Sequence, residues 1–194
     1  MGNNPKDYIV VKDVELAHKL KKENPECILI GERDGFELPG FDYCNSPTEL
    51  NNKDFSGKTV VQTTTLGTKG IVGALEHTDK VITGSFVNTQ AIINYIKKGN
   101  LSIVYLFCTD GRDNDNEDLM FAKYIKGYFE NKALDMRTIK QDLTKHESGI
   151  NYLVNPRTKY SKTDFSLALQ LNKFNFILKA HKNSDELIHL KKIT

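Results

Sequence analysis

Four stretches of this sequence carry side chains suited to gripping an anion or the metal ion that accompanies it. Glu32-Arg33 follows the apolar run Glu26 to Ile30 after a single residue, Gly31. An arginine there can hold a phosphate or carboxylate through two parallel bonds, while a neighbouring glutamate can ligate a metal or hold the arginine in place. The bland alternative is a surface ion pair of little energetic worth. Thr63-Thr64-Thr65-Leu66-Gly67-Thr68 and Gly84-Ser85-Phe86-Val87-Asn88 each stand between an apolar segment and an amphipathic helical pattern. Hydroxyls, an amide and the N–H groups of a helix start are the donors that a phosphate requires. The same residues are also ordinary helix N-caps, so one such loop says little and adjacent ones say more.

The fourth stretch is acidic: Asp110, Asp113, Asp115, Glu117 and Asp118. It is no EF-hand, because Asp118 stands where that loop needs Gly. Mg²⁺ held by one or two carboxylates, with waters and a substrate phosphate, is the more physical reading. A solvated acidic helix start, favoured by the helix dipole, is its equal on these residues alone. Cys108 precedes this stretch and has the chemistry of a nucleophile at a helix N-terminus, although a small buried apolar residue is the better reading. Other matches fail. Gly57-Lys58-Thr59 resembles the end of a phosphate-binding P-loop, but the first required glycine falls on Asn52 and the strand follows. The spacing of Cys108 and Arg112 is too short for a cysteine-dependent phosphatase loop. His18, His77, His146, His181 and His189 show no metal-ligand spacing.

The elements that must position these residues follow from apolar periodicity. Strands are predicted at Tyr8 to Val11, Glu26 to Ile30, Thr59 to Gln62, Lys80 to Thr83 and Leu101 to Phe107. Helices are predicted at Val14 to Lys22, Lys69 to His77, Thr89 to Lys98, Glu117 to Glu130 and Thr163 to Leu171, with mixed polar helix or loop after Asp135 and a break at Asn155-Pro156-Arg157. Phe174 to Ala180 and Glu186 to Lys191 bracket a terminal hairpin. Alternating β and α segments predict an α/β protein with a largely parallel or mixed sheet, helices on its faces and ligand-binding loops at the carboxyl ends of its strands. If the last three βα units are parallel neighbours, their loops converge on one edge.

Size and composition narrow the partners. The 194 residues suffice for one domain spanning 1–194. With 27 basic and 25 acidic side chains the net charge is +2, and no basic block stands apart, which disfavours nucleic acid. No apolar run is long enough to span a membrane, and the polar start lacks the apolar core of a secretory signal. Three cysteines, Cys27, Cys44 and Cys108, make no disulfide framework and predict a reduced, cytoplasmic setting.

Taken in order, Gly31-Glu32-Arg33-x-Gly35, Gly40-Phe41-Asp42-x-x-Asn45-Ser46-Pro47, Thr63-Thr64-Thr65-x-Gly67-Thr68 and Gly84-Ser85-Phe86-x-Asn88 resemble the 2-phosphosulfolactate phosphatase (ComB) family. The similarity continues through Glu117-Asp118 and Leu169 to Phe174, covering essentially the whole chain. The resemblance implies a three-layer α/β/α fold and a Mg²⁺-dependent phosphatase acting on 2-phospho-3-sulfolactate, a step toward coenzyme M. It implies catalytic roles for Glu32, Arg33, Asp42 and Cys108. Substrate or phosphate binding would fall to Asn45, Ser46, Thr63, Thr64, Thr65, Gly67, Thr68, Ser85 and Asn88, and metal binding to Glu117, Asp118 and Asp42.

Three departures from the family pattern shape the expectation. The sequence begins just after the place where the family has a strand and an Asp-x-x-Arg-Ala-Thr segment, so a strand and two charged residues are expected to be lacking. The segment Cys108-Thr109-Asp110-Gly111-Arg112 is one residue short, and Asn172 replaces a common Asp. A lost strand leaves unpaired backbone groups that neighbouring strands or a partner chain must satisfy. The expected function is a phosphatase on a small acidic phosphomonoester, with homo-oligomer formation left open. The alternative is a degenerate, non-catalytic homologue that binds an anionic metabolite or serves as a subunit.

Overall fold

A computed structural model of the chain describes residues 4–110, 116–132, 134–154, 161–184 and 186–194. The central part of the acidic stretch, residues 111–115, and the break at 155–157 lie outside the described residues. The chain divides into two compact units, residues 1–83 with 178–193, and residues 84–177 with 194.

The first unit is built on a mixed seven-stranded sheet. Its strands are β1 (Asp7–Val10), β2 (Ile28–Arg33), β3 (Phe36–Glu37), β4 (Thr59–Thr63), β5 (Ile82–Thr83), β6 (Ile177–Lys182) and β7 (Ile188–Ile193), in the order β3-β2-β4-β1-β7-β6-β5. β4 runs parallel to both β1 and β2, while β7 is antiparallel to β1 and β5 to β6. The period of two along the strands sorts the core into two faces. Ile9, Val11, Leu29 and Val61 pack with Leu16, Ala17 and Leu20 of α1 (Val14–Glu23). Tyr8, Val10, Ile30 and Val60 pack on the other face with Leu50 of α2 (Pro47–Leu50) and with Ile71 and Leu75 of α3 (Gly67–Leu75). Helices thus cover both faces of this sheet, giving the three layers expected.

The second unit is helical: α4 (Thr89–Lys98), α5 (Glu117–Phe129), α6 (Met136–Lys145), α7 (Glu147–Val154) and α8 (Lys162–Ala168). Phe86, Met120, Ile139, Leu143 and Leu169 form its apolar cluster, with Phe121, Tyr124 and Phe165 packed against them. No helix among the described residues is long and apolar enough to cross a membrane.

Most predicted elements are present, and two expectations are corrected. Leu101 to Phe107 is not a strand; the segment joins no ladder despite its apolar, β-branched content. β5 lies at the far edge of the sheet, and the antiparallel pairs between it and β1 point its carboxyl end away from that of β4. The three βα units are therefore not parallel neighbours. Periodicity marks a segment as extended but carries no information on its direction in a mixed sheet.

The β6–β7 hairpin carries two histidines, His189 buried and His181 half-buried. His189 Nδ1 lies 2.7 Å from Asp7 Oδ1, linking β7 to β1, and its ring sits 5.7 Å from that of His181. Both ring nitrogens of His181 are buried without a hydrogen-bond partner. Burial, then the Lys191 ammonium and His189, holds His181 below the usual imidazole range. Above about pH 6.5 the ring is neutral folded or unfolded; as pH falls through that value the unfolded chain takes the proton first, and stability is lost. Denaturant midpoints should therefore drop between about pH 7.5 and pH 5.5, and His181→Phe should flatten that dependence. An unchanged slope in the variant would show that His181 is not its source.

Candidate active site

β2 ends in a two-residue turn, Asp34-Gly35, that pairs Arg33 with Phe36 and Glu32 with Glu37. Both turn residues have positive φ, 53° and 80°, the geometry of a type I′ hairpin that Asp-Gly favours. Glu32 is 5% exposed, so its carboxylate must be satisfied from within the protein. Oε1 accepts from Thr65 N at 2.7 Å; Oε2 accepts from Thr65 Oγ1 at 2.8 Å and from Gly35 N at 2.9 Å. Thr65 Oγ1 in turn accepts from Asp34 N at 2.8 Å. One carboxylate thus clamps the turn after β2 to the loop after β4.

Arg33 lies over the same loop. Its Nη1 donates to the Glu32 carbonyl at 2.8 Å, and its Nη2 donates to the Lys12 carbonyl at 2.9 Å and to Thr63 Oγ1 at 2.8 Å. All three acceptors are neutral, so these bonds aim the guanidinium without neutralising it. Thr64 and Thr68 bond reciprocally at the start of α3: Thr68 N donates to Thr64 Oγ1 at 3.1 Å, and Thr64 N donates to Thr68 Oγ1 at 3.0 Å. Gly67 opens this helix. A positive guanidinium and the positive end of a nine-residue helix therefore flank one clamped loop, an arrangement that attracts anions.

The close approach of β2 to β4 is what allows the clamp. A Cβ on Gly31 would lie 2.4 Å from the Thr63 carbonyl oxygen and 2.9 Å from Phe41, so only glycine fits. Asp42, Asn45 and Ser46 lie elsewhere in this unit. Asp42 Oδ2 accepts from Leu29 N at 2.8 Å and from Lys21 Nζ at 3.0 Å, fastening its loop beside β2. Ser46 caps α2 through its hydroxyl, which accepts from Glu49 N at 3.3 Å. Asn45 Oδ1 is 3.6 Å from Cys44 Sγ.

The other predicted residues belong to the second unit. Asn88 Oδ1 accepts from Ser85 N at 3.1 Å in a capping box, and Asn88 Nδ2 donates to the Phe176 carbonyl. Asp118 Oδ2 accepts from Thr109 N and Thr109 Oγ1, both at 2.8 Å, and from Asp110 N at 3.2 Å. Asn116 caps α5 and also donates to the Asp110 carbonyl. Glu117 is exposed in the first turn of α5. Burial, aided by the Asp118 charge, pushes the Cys108 thiol up, which favours the protonated and poorly nucleophilic form. Asn172 Oδ1 accepts from Gln90 N at 2.8 Å, near the start of α4. Among the described residues no three His, Cys, Asp or Glu side chains cluster as a metal site.

Sequence reasoning did not find Gly35, the Lys12 carbonyl, Thr109 or Asn116 as parts of these networks. Asp34-Gly35 after an apolar run was the available hairpin signal; a main-chain carbonyl such as that of Lys12 leaves no signal at all.

A family model described as 2-phosphosulpholactate phosphatase matches residues 1–183. The chain is similar to proteins named probable 2-phosphosulfolactate phosphatase. The one from Clostridium perfringens strain 13 is 35% identical over 127 residues, covering 63% of this chain and 51% of that protein. The one from Thermotoga petrophila is 29% identical over 165 residues, covering 79% and 71%. The one from Bacillus subtilis strain 168 is 30% identical over 125 residues, covering 64% and 54%. The chain thus spans about half the length of the Clostridium and Bacillus relatives.

The clamp makes a prediction of its own. Glu32→Ala strands the Thr65 and Gly35 donors in a buried place and should cost roughly 3 kcal/mol in denaturant unfolding, whereas Glu32→Gln, which keeps an acceptor, should cost clearly less. Equal losses for the two variants would show that volume, not hydrogen bonding, matters at this position.

Proposed function

We propose, since this chain belongs to the 2-phosphosulpholactate phosphatase family, that it releases inorganic phosphate from a small acidic phosphomonoester, with 2-phospho-3-sulfolactate the first candidate. The observation that carries this reading is Arg33: a guanidinium fixed by three neutral acceptors, beside the start of α3. In hydrolysis, water adds to phosphorus, the ester P–O bond breaks, and the leaving alkoxide takes up a proton. Negative charge on the phosphoryl oxygens and the leaving oxygen must be stabilised while this happens. A pre-aimed arginine does so without reorganising.

In this reading Glu32 is a positioning residue, because both its oxygens already hold Thr65 and Gly35. Thr63 aims Arg33, and Thr64, Gly67 and Thr68 shape the helix start that receives the anion. Mg²⁺ belongs to the proposal through Glu117 and Asp118. The bonds from Thr109 and Asp110 fix the orientation of the Asp118 carboxylate, an oxygen ligand of the kind a hard cation takes. Asp42 fits a cation less well, since the Lys21 ammonium already lies 3.0 Å from it. When bound, the ion would supply positive charge at those two carboxylates of the second unit. Three free cysteines, two of them buried, suit a reducing cytoplasm.

A second reading is supported by the same bonds. Two of the predicted site carboxylates, Glu32 and Asp118, are engaged with protein donors, and the Cys108 thiol is held protonated. That pattern suits a homologue that binds an anionic metabolite without turning it over.

Phosphate release from 2-phospho-3-sulfolactate and phospholactate, with Mg²⁺ and with chelator, separates the two readings. Turnover with Mg²⁺ that falls on the order of 10²-fold or more in Arg33→Ala supports the phosphatase. Calorimetric binding of these esters without turnover supports the second reading, and neither binding nor turnover would overturn both.

A further inference from the structure

Among the described residues, exposed apolar side chains concentrate on residues 101–107. Leu101, Ile103, Val104, Tyr105, Leu106 and Phe107 are between 40% and 88% exposed. The exposure alternates: Ile103, Tyr105 and Phe107 are 69%, 88% and 74% exposed, whereas Val104 and Leu106 between them are 41% and 40%. That is the period of an extended segment with one face turned outward. Among the described residues none of its backbone groups enters a backbone hydrogen bond, and none of its residues joins a ladder. Its ends are nonetheless fixed. Asn100 N donates to the Lys97 carbonyl at the end of α4, and Thr109 and Asp110 are held by Asp118. A bare strand-like span is therefore held between two anchors of the same unit.

We propose that this outward face, Ile103, Tyr105 and Phe107, is a homodimer interface that docks on the same face of a second copy of the chain. Three properties select that occupant. From Leu101 to Cys108 there is no charged residue, no proline and no glycine, so nothing opposes self-association and nothing offers charge-based recognition of a different partner. The face is its own complement: in a two-fold arrangement centred on Val104, Ile103 of each copy meets Tyr105 of the other, pairing aliphatic with aromatic side chains. The area suits a small homodimer interface, since these side chains offer on the order of 500 Å² per copy against the roughly 600 to 1,000 Å² per partner of standard interfaces. A seven-residue segment is too short to cross a bilayer as a strand, which needs about 9 to 11 residues.

Sedimentation velocity over a wide concentration range tests this on the full chain. The expected result is a discrete dimer that Ile103→Lys with Tyr105→Lys converts to monomer, with an unchanged far-UV spectrum because both side chains are already exposed. Ile150→Lys, which alters another exposed apolar residue of the same unit, should leave the dimer intact. If the double lysine variant misfolds, Ile103→Thr with Tyr105→Ser gives the same comparison. Hydrogen exchange should show slowed amides at 101–107 in the dimer only. A wild-type monomer, open-ended aggregates in place of a dimer, a dimer that survives the double substitution, or one lost equally in Ile150→Lys would each overturn the proposal.

Discussion

The buried carboxylate of Glu32 is the constraint around which the candidate site is arranged. Withdrawing an ionised carboxylate from water costs several kcal/mol, and only well-placed donors offset it. Those donors come from two places in the chain, the turn after β2 and the loop after β4, thirty or so residues apart in sequence. Satisfying one charge therefore fixes the conformation of both segments. It also fixes Arg33, the next residue in the strand, whose own bonds reach across to Lys12 and Thr63.

The second unit uses the same device. Asp118 accepts the N–H and the hydroxyl of Thr109 and a further backbone N–H, as Glu32 accepts the N–H and hydroxyl of Thr65 and the N–H of Gly35. In both cases a threonine supplies two donors to a carboxylate distant in sequence, and a loop that would otherwise be mobile is held by charge-assisted bonds. The consequence for chemistry is a division of labour. Acidic side chains turn inward to hold backbone, while in the first unit Arg33 and the start of α3 provide positive potential for an anion.

How far the sequence disclosed this depended on the kind of information each feature needs. β1, β2, β4 and helices α1, α3, α4 and α5 were legible because a buried face imposes a period on the residues that form it. The terminal hairpin was legible through the polar turn between two β-rich runs. Glu32 and Arg33 stood out as charges at the end of an apolar strand, but their directions did not: the pair that reads as a surface ion pair is instead a buried glutamate and an arginine bonded to neutral oxygens. The direction of β5 was not legible, because a strand of two residues carries no signal of its neighbours. Leu101 to Phe107 has the composition of a strand and lacks a partner, which shows that β-propensity records how a side chain fits a pleated surface and not that the surface is present.

The threonines of the loop after β4 are chosen for more than their hydroxyls. Thr63 is completely buried, with its hydroxyl bonded to Arg33 and its carbonyl and methyl standing where a Cβ on Gly31 would need room. β-branching restricts χ1, so the hydroxyl direction is largely set before Arg33 arrives. Serine would keep the acceptor but lose both the methyl contact and that restriction, and glycine at position 31 is what leaves room for the branched side chain. The local packing of β2 on β4 and the aim of the guanidinium are thus one arrangement. A change that loosened Gly31 against Thr63 would move the positive charge relative to the start of α3 without touching either group directly.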